Sequence, residues 1–343
     1  MKDEGEERRS AVAEKKAADP NRIHRIATGY MGTCVLLAAL ELNVFDELAG
    51  KSLSSQELAK ALGLPSKPTE RLLVALTSLQ LVERAGGKYS LSSETERYLV
   101  KASPSYFGDY YRFQVRQCLM PDFIRLDQLI RENHAIMADD WADFMSDPQK
   151  ARTFILGQHS ASQGGGRLLA AKFDFTGYRE LVDLAGGSGA CSIAACQRNP
   201  QLKAVIVDFP NVLDVAKEVV AREGLTDRIR TQPGDITVDD WPRGDLMLIS
   251  LIISGYSRET QLRVFRKCFE KLPSGGAIVV HDFLMDSDYS GPRLSALYNL
   301  TSVDGVPMSG EDMARLLGEA GFVDPVIRTV IPEYTAMVAA KKP

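Results

Sequence analysis

The feature of this chain that most constrains its fold is a glycine-rich segment that directly follows a short apolar run. Residues 180–189 read ELVDLAGGSG, and the next residues, ACSIAAC, have the composition of the beginning of a helix. The pattern predicts a strand, a tight turn and a helix. Because residues without a Cβ let a ligand approach the backbone, this turn is a candidate binding loop.

A second apolar run, residues 204–207, ends in Asp208. This acid follows the glycines by about twenty residues, where the end of a second strand would place it to accept hydrogen bonds from a ribose. A plain tight turn would explain the glycines alone. The glycines and Asp208 together favour a nucleoside-containing cofactor.

Strand and helix patterns alternate after residue 180, which indicates an α/β fold with a Rossmann-like, doubly wound sheet. Strands are predicted over 180–185, 203–208, 229–233, 245–253 and 277–283, and a hairpin over 325–330 and 334–340 makes the final strand antiparallel. Ligands of such sheets bind at the carboxyl ends of the strands. Asp183, Asp208, Asp235 and residues 250–256 fall at these ends.

The amino-terminal half is mainly helical. A capping signature, Ser54 with Glu57, begins a helix that stops at Gly63, and a helix over 69–81 and a hairpin over 82–91 follow, which is a winged-helix pattern. Helix 69–81 carries only Glu70 and Arg71 as charges, and the chain has a net charge of −4, so we expect a structural winged helix and no nucleic-acid partner. The apolar pattern of 21–48 favours a homodimer over packing on the chain's own second domain.

Aromatic residues are dense between residues 103 and 160, where the pattern is helical with breaks at Pro104, Pro121 and Pro148. Such helices before a glycine-loop domain can line a substrate cavity, although an ordinary core would also use many of these rings. Four segments are therefore predicted: a charged, flexible arm over 1–20, a dimerisation and winged-helix domain over 21–102, linking helices over 103–170, and a cofactor-binding domain over 171–343.

Composition limits the cellular compartment, the metals and the membrane contacts expected for this 343-residue chain. Five scattered cysteines have no metal-ligand spacing, which indicates reduced thiols in a cytoplasmic protein without a metal. The charged first nineteen residues contain no secretory signal, and the sequence shows no uninterrupted apolar run of the length that a membrane helix needs. We therefore expect no membrane partner.

An ordered set of motifs now identifies a family resemblance. The set is VDLAGGSG (182–189), VDFP (207–210), GDI (234–236), KLPSGG (271–276) and EAGF (319–322). It resembles the class I S-adenosylmethionine-dependent methyltransferases, and over residues 21–342 the small-molecule O-methyltransferases with an amino-terminal winged-helix dimerisation domain. NAD is the alternative cofactor, but its Gly-x-Gly-x-x-Gly pattern is absent.

The resemblance implies specific roles in binding the cofactor. Asp183 with Gly186 and Gly187 would hold the methionine part of S-adenosylmethionine. Asp208 would bind the ribose, and Phe209 would lie against the adenine. The remaining implied contacts are with Asp235, Ile236 and Ser250. Ala185 departs from the family, which usually has glycine there, but alanine is small enough to keep the turn.

The most informative difference between this sequence and the family lies after the fourth predicted strand. Members of the family have a histidine base in this stretch, which here reads LIISGY (251–256), so that Ser254 occupies the histidine position. A proton-bearing nucleophile needs a base, whose loss costs ~10²–10⁴-fold in rate. Three interpretations stay open: a base elsewhere (His159, His281 or Asp304), a fold that has lost methylation, or a nucleophile without a proton.

A protonless nucleophile fits the aromatic segment, because aromatic faces stabilise a developing sulfonium. The chain in this respect is similar to the methylthiohydroxybutyrate S-methyltransferases of dimethylsulfoniopropionate synthesis, which implies methylation of a thioether. The alternatives are an O- or C-methyltransferase of a natural-product pathway and a ligand-sensing winged-helix protein. His159 and Tyr256 are the catalytic candidates. Candidate substrate contacts are Tyr106, Phe107, Tyr110, Tyr111, Phe154, His159, Ser254, Tyr256, Tyr298 and Asn299.

Overall fold

The computed structural model describes residues 20–135, 140–301 and 304–343. The predicted charged arm therefore lies, except for Pro20, outside the described residues. The chain divides into two compact units, Met1–Ser92 and Ser93–Pro343.

From residue 20 onward, the first unit contains four helices and one hairpin. Its elements are α1 (Pro20–Glu41), α2 (Val44–Leu48), α3 (Ser55–Leu62), α4 (Ser66–Ser78), β1 (Val82–Ala85) and β2 (Lys88–Leu91). Helix α3 begins at a capping box, in which the backbone N–H of Glu57 donates to Ser54 Oγ and that of Ser54 donates to Glu57 Oε2. The helix–helix–hairpin order of a winged helix is confirmed.

The predicted recognition helix differs from the observed one in position and burial. Helix α4 begins three residues earlier than expected, because Pro68 is tolerated in the first turn of a helix. Its buried residues are Thr69, Leu73 and Leu76, whereas Val74 and Leu79 are exposed in the single chain. The helix is thus less buried than its composition suggested.

The second unit carries the remaining helices and a seven-stranded sheet. The helices are α5 (Ser93–Leu99), a π-helix (Tyr110–Leu119), α6 (Met120–Ile124), α7 (Leu126–Glu132), α8 (Trp141–Ser146), α9 (Pro148–Lys172), α10 (Ala190–Arg198), α11 (Pro210–Arg222), α12 (Arg258–Lys271), α13 (Arg293–Tyr298) and α14 (Gly310–Glu319). The strands are β3 (Glu180–Leu184), β4 (Lys203–Asp208), β5 (Ile229–Pro233), β6 (Leu246–Ser250), β7 (Ala277–Asp282), β8 (Val323–Ile331) and β9 (Thr335–Lys341).

The strand order is β5-β4-β3-β6-β7-β9-β8. The first five strands are parallel, β9 runs antiparallel to β7, and β8 runs antiparallel to β9. Alternate strand residues supply two cores, one shared with α9, α10 and α11 and the other with α12 and α14. The α/β, doubly wound prediction is confirmed, and the carboxyl ends of β3, β4, β6 and β7 share one edge.

One strand at this edge is shorter than expected. Strand β6 ends at Ser250 rather than residue 253, because Leu251 has a positive φ of 59° and a 3₁₀ turn, Ile253–Gly255, follows. Helix α13 is followed by a second 3₁₀ turn, Asn299–Thr301, which packs beside the first. The residue in the family's histidine position therefore lies in a turn and not in a strand.

Candidate active site

The glycine loop after β3 has a backbone that few side chains tolerate. Ala185, Gly187 and Gly189 all have positive φ values, of 53°, 57° and 78°. A Cβ on Gly186 would lie 2.7 Å from the carboxyl carbon of Asp183. The Asp183 carboxyl therefore packs directly against Gly186, whereas a Cβ on Gly187 would meet nothing within 4 Å.

Ala185 supports a prediction about stability. A non-glycine residue in the left-handed region carries a cost of ~1–2 kcal/mol, so we expect Ala185→Gly to raise the free energy of unfolding by up to about 1 kcal/mol after the entropic cost of glycine. Urea denaturation measures the change. The control is Ala194→Gly inside α10, which we expect to lose about 1 kcal/mol. A loss of stability in both variants would contradict the prediction.

Asp183 is a buried carboxyl group with one oxygen left unsatisfied. Ser192 Oγ donates to its Oδ2 over 2.6 Å, whereas Oδ1 has no hydrogen-bond partner among the described residues. Burial, with a contribution from the charge of Asp208, raises the pKa of Asp183 to about 7. An unsatisfied buried acceptor at the base of this loop indicates a ligand that donates a hydrogen bond.

Asp208, at the end of β4, connects the loop to the neighbouring strand. The backbone N–H groups of Gly187 and Phe209 donate to its two carboxyl oxygens, each over 2.8 Å. Burial raises the pKa of Asp208 to about 6, although the two backbone hydrogen bonds oppose the rise. Each oxygen keeps a second acceptor position, so the carboxylate can also bind a diol.

Asp235 and Ile236 follow β5 at the same edge. Asp235 Oδ1 accepts hydrogen bonds from the backbone N–H and the hydroxyl of Thr237, both over 2.7 Å, and Ile236 is buried. The nearby Tyr256 phenol has its pKa raised to about 12, first by burial and then by the charges of Asp235 and Asp208. The Tyr256 phenol is therefore protonated at neutral pH and can donate a hydrogen bond.

The two buried histidines are engaged at both ring nitrogens. His159 Nε2 lies 3.2 Å from the Arg222 guanidinium, which only donates, so Nδ1 carries the proton and donates to Ser188 Oγ over 2.8 Å. His281 lies 2.9 Å from Ser250 Oγ and 2.8 Å from Thr335 Oγ1.

Burial lowers the pKa of both histidines to about 4, and the charges of Arg222 and Arg167 contribute at His159. Both imidazoles are therefore neutral, poor bases at neutral pH. The third base candidate, Asp304, is exposed.

Ser254 is held by a carboxyl group that the sequence analysis did not assign to the site. Ser254 Oγ donates to Asp282 Oδ1 over 2.9 Å, and its backbone N–H donates to Asp282 Oδ2 over 3.0 Å. Asp282 itself is fully buried at the end of β7, and burial raises its pKa. The pair occupies the carboxyl edge of the sheet between β6 and β7.

Two groups of three aromatic rings meet in the second unit, and one of them includes Phe283, whose backbone N–H donates to Asp282. Phe107, Tyr110 and Tyr111 have centroids 5.3–5.6 Å apart. Phe283, which follows Asp282, stacks on Tyr298 at 4.5 Å, and Tyr334 packs against both. The two groups adjoin at Tyr334. Burial is the main cause that raises the pKa of Tyr334, and the neighbouring Tyr110 and Tyr111 raise it further. We call these six residues the ring cluster.

The ring cluster contains a pair of phenol groups. Tyr110 is buried, and its hydroxyl interacts with that of Tyr334. It lies on the π-helix, a conformation that often occurs at functional sites. Sequence reasoning missed Phe283 and Tyr334, which are far apart in the chain and come together through the β7–β9 pairing.

Three other predicted substrate contacts lie outside the ring cluster. Phe154, on α9, packs against Trp141 and Phe144 in the core. The Tyr106 hydroxyl donates to Asp109, and Asn299 Nδ2 donates to the backbone carbonyl of Ser295. Their roles as substrate contacts stay predictions.

The comparisons with known proteins agree with this architecture. A model of the O-methyltransferase domain matches residues 126–323, and a model of the O-methyltransferase dimerisation domain matches residues 24–101. The chain belongs to the O-methyltransferase family and is an S-adenosylmethionine-dependent methyltransferase that acts on a small molecule. The dimerisation domain supports a homodimer.

Relatives from natural-product pathways match along most of their length. A 3-hydroxy-5-methyl-1-naphthoate 3-O-methyltransferase of Streptomyces sahachiroi is 31% identical over 94% of this chain and 95% of that protein. The tetracenomycin polyketide synthesis 8-O-methyl transferase TcmO of Streptomyces glaucescens is 29% identical over 94% and 97%.

A solved structure of human N-acetylserotonin methyltransferase in complex with S-adenosylmethionine is also similar. It is 25% identical, covers 96% of this chain and 99% of its own, and has a TM-score of 0.84.

Helix α1 departs from the expectation about membranes. Among the described residues, this is the one helix that is long and apolar enough to cross a bilayer, judged by length and composition alone. Most of its 22 residues are apolar or small, and few are charged. The same helix falls mostly within the dimerisation domain, and its side chains at Ile23 and Ile26 are 73% exposed in the single chain. Exposed apolar side chains of this kind are expected in a dimerisation domain.

Proposed function

We propose that this enzyme methylates a hydroxyl group on a flat aromatic natural product. The observation that carries the proposal is the ring cluster beside the Ser254–Asp282 pair. Offset and edge-on aromatic pairs contribute about 0.5–1.5 kcal/mol each beyond the burial of their area, so the cluster favours a planar ring system. The two Streptomyces relatives, named for naphthoate and polyketide O-methylation, support the same class of acceptor.

We propose that S-adenosylmethionine binds along the edge formed by β3, β4 and β5. The unsatisfied Asp183 Oδ1 and the close packing of Gly186 and Gly187 beside it fit its amino-acid part, and the second acceptor positions of Asp208 fit the ribose diol. Phe209, Asp235, Ile236 and Ser250 complete the expected set. When bound, the donor supplies an electrophilic methyl group on a positively charged sulfur, and the acidic residues of the chain hold that charge at this edge.

Affinity for the donor should depend on pH with a definite sign. Asp208 and Asp183 titrate near 6 and 7 in the free protein, and the cationic donor favours their ionised forms. The dissociation constant should therefore be lowest above pH 7 and should rise, as pH falls through both values, by up to about tenfold per unit for each of the two carboxyl groups. Calorimetry at pH 8, 6 and 5 tests this. A dissociation constant that is the same at pH 5 and 8 would contradict the assignment.

The buried Tyr110 hydroxyl provides a polar contact for the acceptor. Tyr110 and Tyr334 share one hydrogen bond, so one of their two hydroxyl protons can still donate to a carboxylate or carbonyl group on the ring system, which would orient one acceptor hydroxyl toward Ser254. Desolvation keeps the pKa of Tyr110 well above its usual value, so the hydroxyl remains a donor across the physiological range.

Methylation of the thioether 4-methylthio-2-hydroxybutyrate is the second candidate. The two buried histidines are neutral and fully engaged, and a thioether sulfur needs no base. Ring faces also stabilise a sulfonium by about 0.5–2 kcal/mol each. The named relatives act on other acceptors, so this candidate depends on the site alone.

Turnover on an acceptor panel tests the proposal. The purified enzyme is incubated with S-adenosylmethionine and with 3-hydroxy-5-methyl-1-naphthoate, a simple naphthol, L-tyrosine or the thioether acid, and S-adenosylhomocysteine release is measured. We expect release with the hydroxynaphthoate and naphthol. Release with the thioether alone would reverse the order of the two candidates, and release with L-tyrosine alone would contradict the preference for a fused-ring acceptor.

We further propose a cytoplasmic location. All five cysteines are free thiols, including the exposed Cys34, and two of them are buried in the core. This usage supports a reducing compartment.

A further inference from the structure

The environment of Asp282 is unusual for a carboxyl group close to a proposed reaction site. It is fully buried, and its oxygens accept from Ser254 Oγ, from the Ser254 N–H and, over 2.8 Å, from the Phe283 N–H. It therefore cannot touch an acceptor directly. Ser254 is half-buried and has Asp282 on one side of its hydroxyl.

The direction of the Ser254 hydrogen bond determines what the hydroxyl can do. A carboxylate only accepts, so the single Ser254 proton points to Asp282 Oδ1. The lone pairs of Ser254 Oγ are then directed away from Asp282 and can accept a proton from another group. The Ser254 hydroxyl can thus pass a proton inward without becoming charged.

We propose that Ser254 and Asp282 form a proton relay that replaces the family's histidine base. The inference rests on the proposed methylation of a hydroxyl group. As the acceptor oxygen forms its bond to the methyl carbon, its proton moves to Ser254 Oγ and the Ser254 proton moves to Asp282 Oδ1. The electron pair of the breaking carbon–sulfur bond stays on sulfur, which gives neutral S-adenosylhomocysteine. The proton returns to solvent by the same path after the product leaves.

The surroundings of Asp282 suit a proton acceptor. Burial raises its pKa above that of an ordinary carboxyl, and the hydrogen bonds of Ser254, Phe283 and Ile253 limit the rise. Among the described residues, no charged side chain contributes to this shift, and the adjacent His281 is directed to Ser250 and Thr335 instead. A carboxylate in this position is a stronger base than one in water.

The test compares acceptors that do and do not carry a proton. One is 3-hydroxy-5-methyl-1-naphthoate, and the other is an analogue with a nitro group beside the hydroxyl, which ionises it at the assay pH. With Ser254→Ala, we expect kcat/KM to fall by about 10²-fold or more for the first acceptor, because proton transfer is lost. The ionised analogue should be methylated at nearly the wild-type rate.

Matched variants separate the relay from a structural role. Ser254→Thr keeps a hydroxyl and should retain most of the activity on both acceptors. Ser257→Ala removes a neighbouring hydroxyl that caps α12 and should leave both rates unchanged. The wild-type enzyme should show a solvent deuterium isotope effect on the protonated acceptor that Ser254→Ala alters, a signature that a packing role would not produce.

The outcomes are distinct. Equal losses on both acceptors, or no loss on either, in Ser254→Ala would overturn the relay while leaving the proposed function intact. A wild-type enzyme that binds S-adenosylmethionine in calorimetry but methylates neither acceptor would overturn the proposed function and the relay with it. A selective loss on the protonated acceptor supports both.

Discussion

Asp208→Ala is expected to raise the dissociation constant for S-adenosylmethionine by about 100-fold. Hydrogen bonds to a charged group contribute about 1.5–3 kcal/mol each, and 1.4 kcal/mol corresponds to a factor of ten. The substitution removes the proposed acceptor of the ribose diol. It also removes the acceptor of the Gly187 N–H, which helps to hold the loop. Calorimetry at pH 8, where the wild-type carboxyl is ionised, measures the effect.

Two control variants make this result specific. Asp208→Asn keeps the shape of the side chain and one acceptor oxygen, so it should lie between the alanine variant and the wild type. Asp214→Ala removes an exposed acid of α11 that pairs with Lys217, and it should bind the donor normally. An unchanged dissociation constant in Asp208→Ala would show that the ribose does not bind at the end of β4.

The second large effect is expected from Gly186→Ala. The new Cβ would lie 2.7 Å from the Asp183 carboxyl carbon and 2.9–3.0 Å from its oxygens. Asp183 is buried and held by Ser192, so it cannot move without breaking that hydrogen bond. We expect donor affinity to fall by at least about tenfold and the free energy of unfolding to fall by about 1–3 kcal/mol.

Gly187→Ala is the matched comparison in the same loop. Its φ of 57° makes alanine strained by ~1–2 kcal/mol, but its Cβ would contact nothing within 4 Å. The Asp183 carboxyl should therefore keep its position, and donor affinity should fall less than in Gly186→Ala. Calorimetry and urea denaturation of both variants provide the comparison. Equal affinities would contradict the view that the Asp183 carboxyl needs the space in front of Gly186.

Local sequence patterns were sufficient to predict the sheet and the edge of it at which Asp183, Asp208 and Asp235 lie. The apolar runs before Asp183 and Asp208 are continuous because β3 and β4 are buried on both faces, which makes them easy to recognise. The glycine loop was predictable because its backbone requires small residues. The winged-helix order likewise followed from the capping box at Ser54 and the glycine pair in the hairpin.

The acceptor side was harder to predict because its residues come from distant parts of the chain. Phe283 and Tyr334 carry no local signal of their role, and they meet Tyr110 only after β7 and β9 pair. His159 resembled a base in the sequence, but its two hydrogen bonds to Ser188 and Arg222 depend on the packing of three helices and the loop. Asp282 was not assigned to the site from the sequence, and it bonds to Ser254, whereas the adjacent His281 bonds to Ser250 and Thr335.

The most direct test of the central claim follows the methyl group itself. The enzyme is given S-adenosylmethionine labelled with ¹³C in the methyl group, together with 3-hydroxy-5-methyl-1-naphthoate and the thioether acid in one reaction. NMR then identifies the atom that carries the label. The account predicts a labelled methoxy group on the naphthoate ring and an unlabelled thioether. A labelled sulfonium, or no transfer by an enzyme that binds the donor, would contradict it.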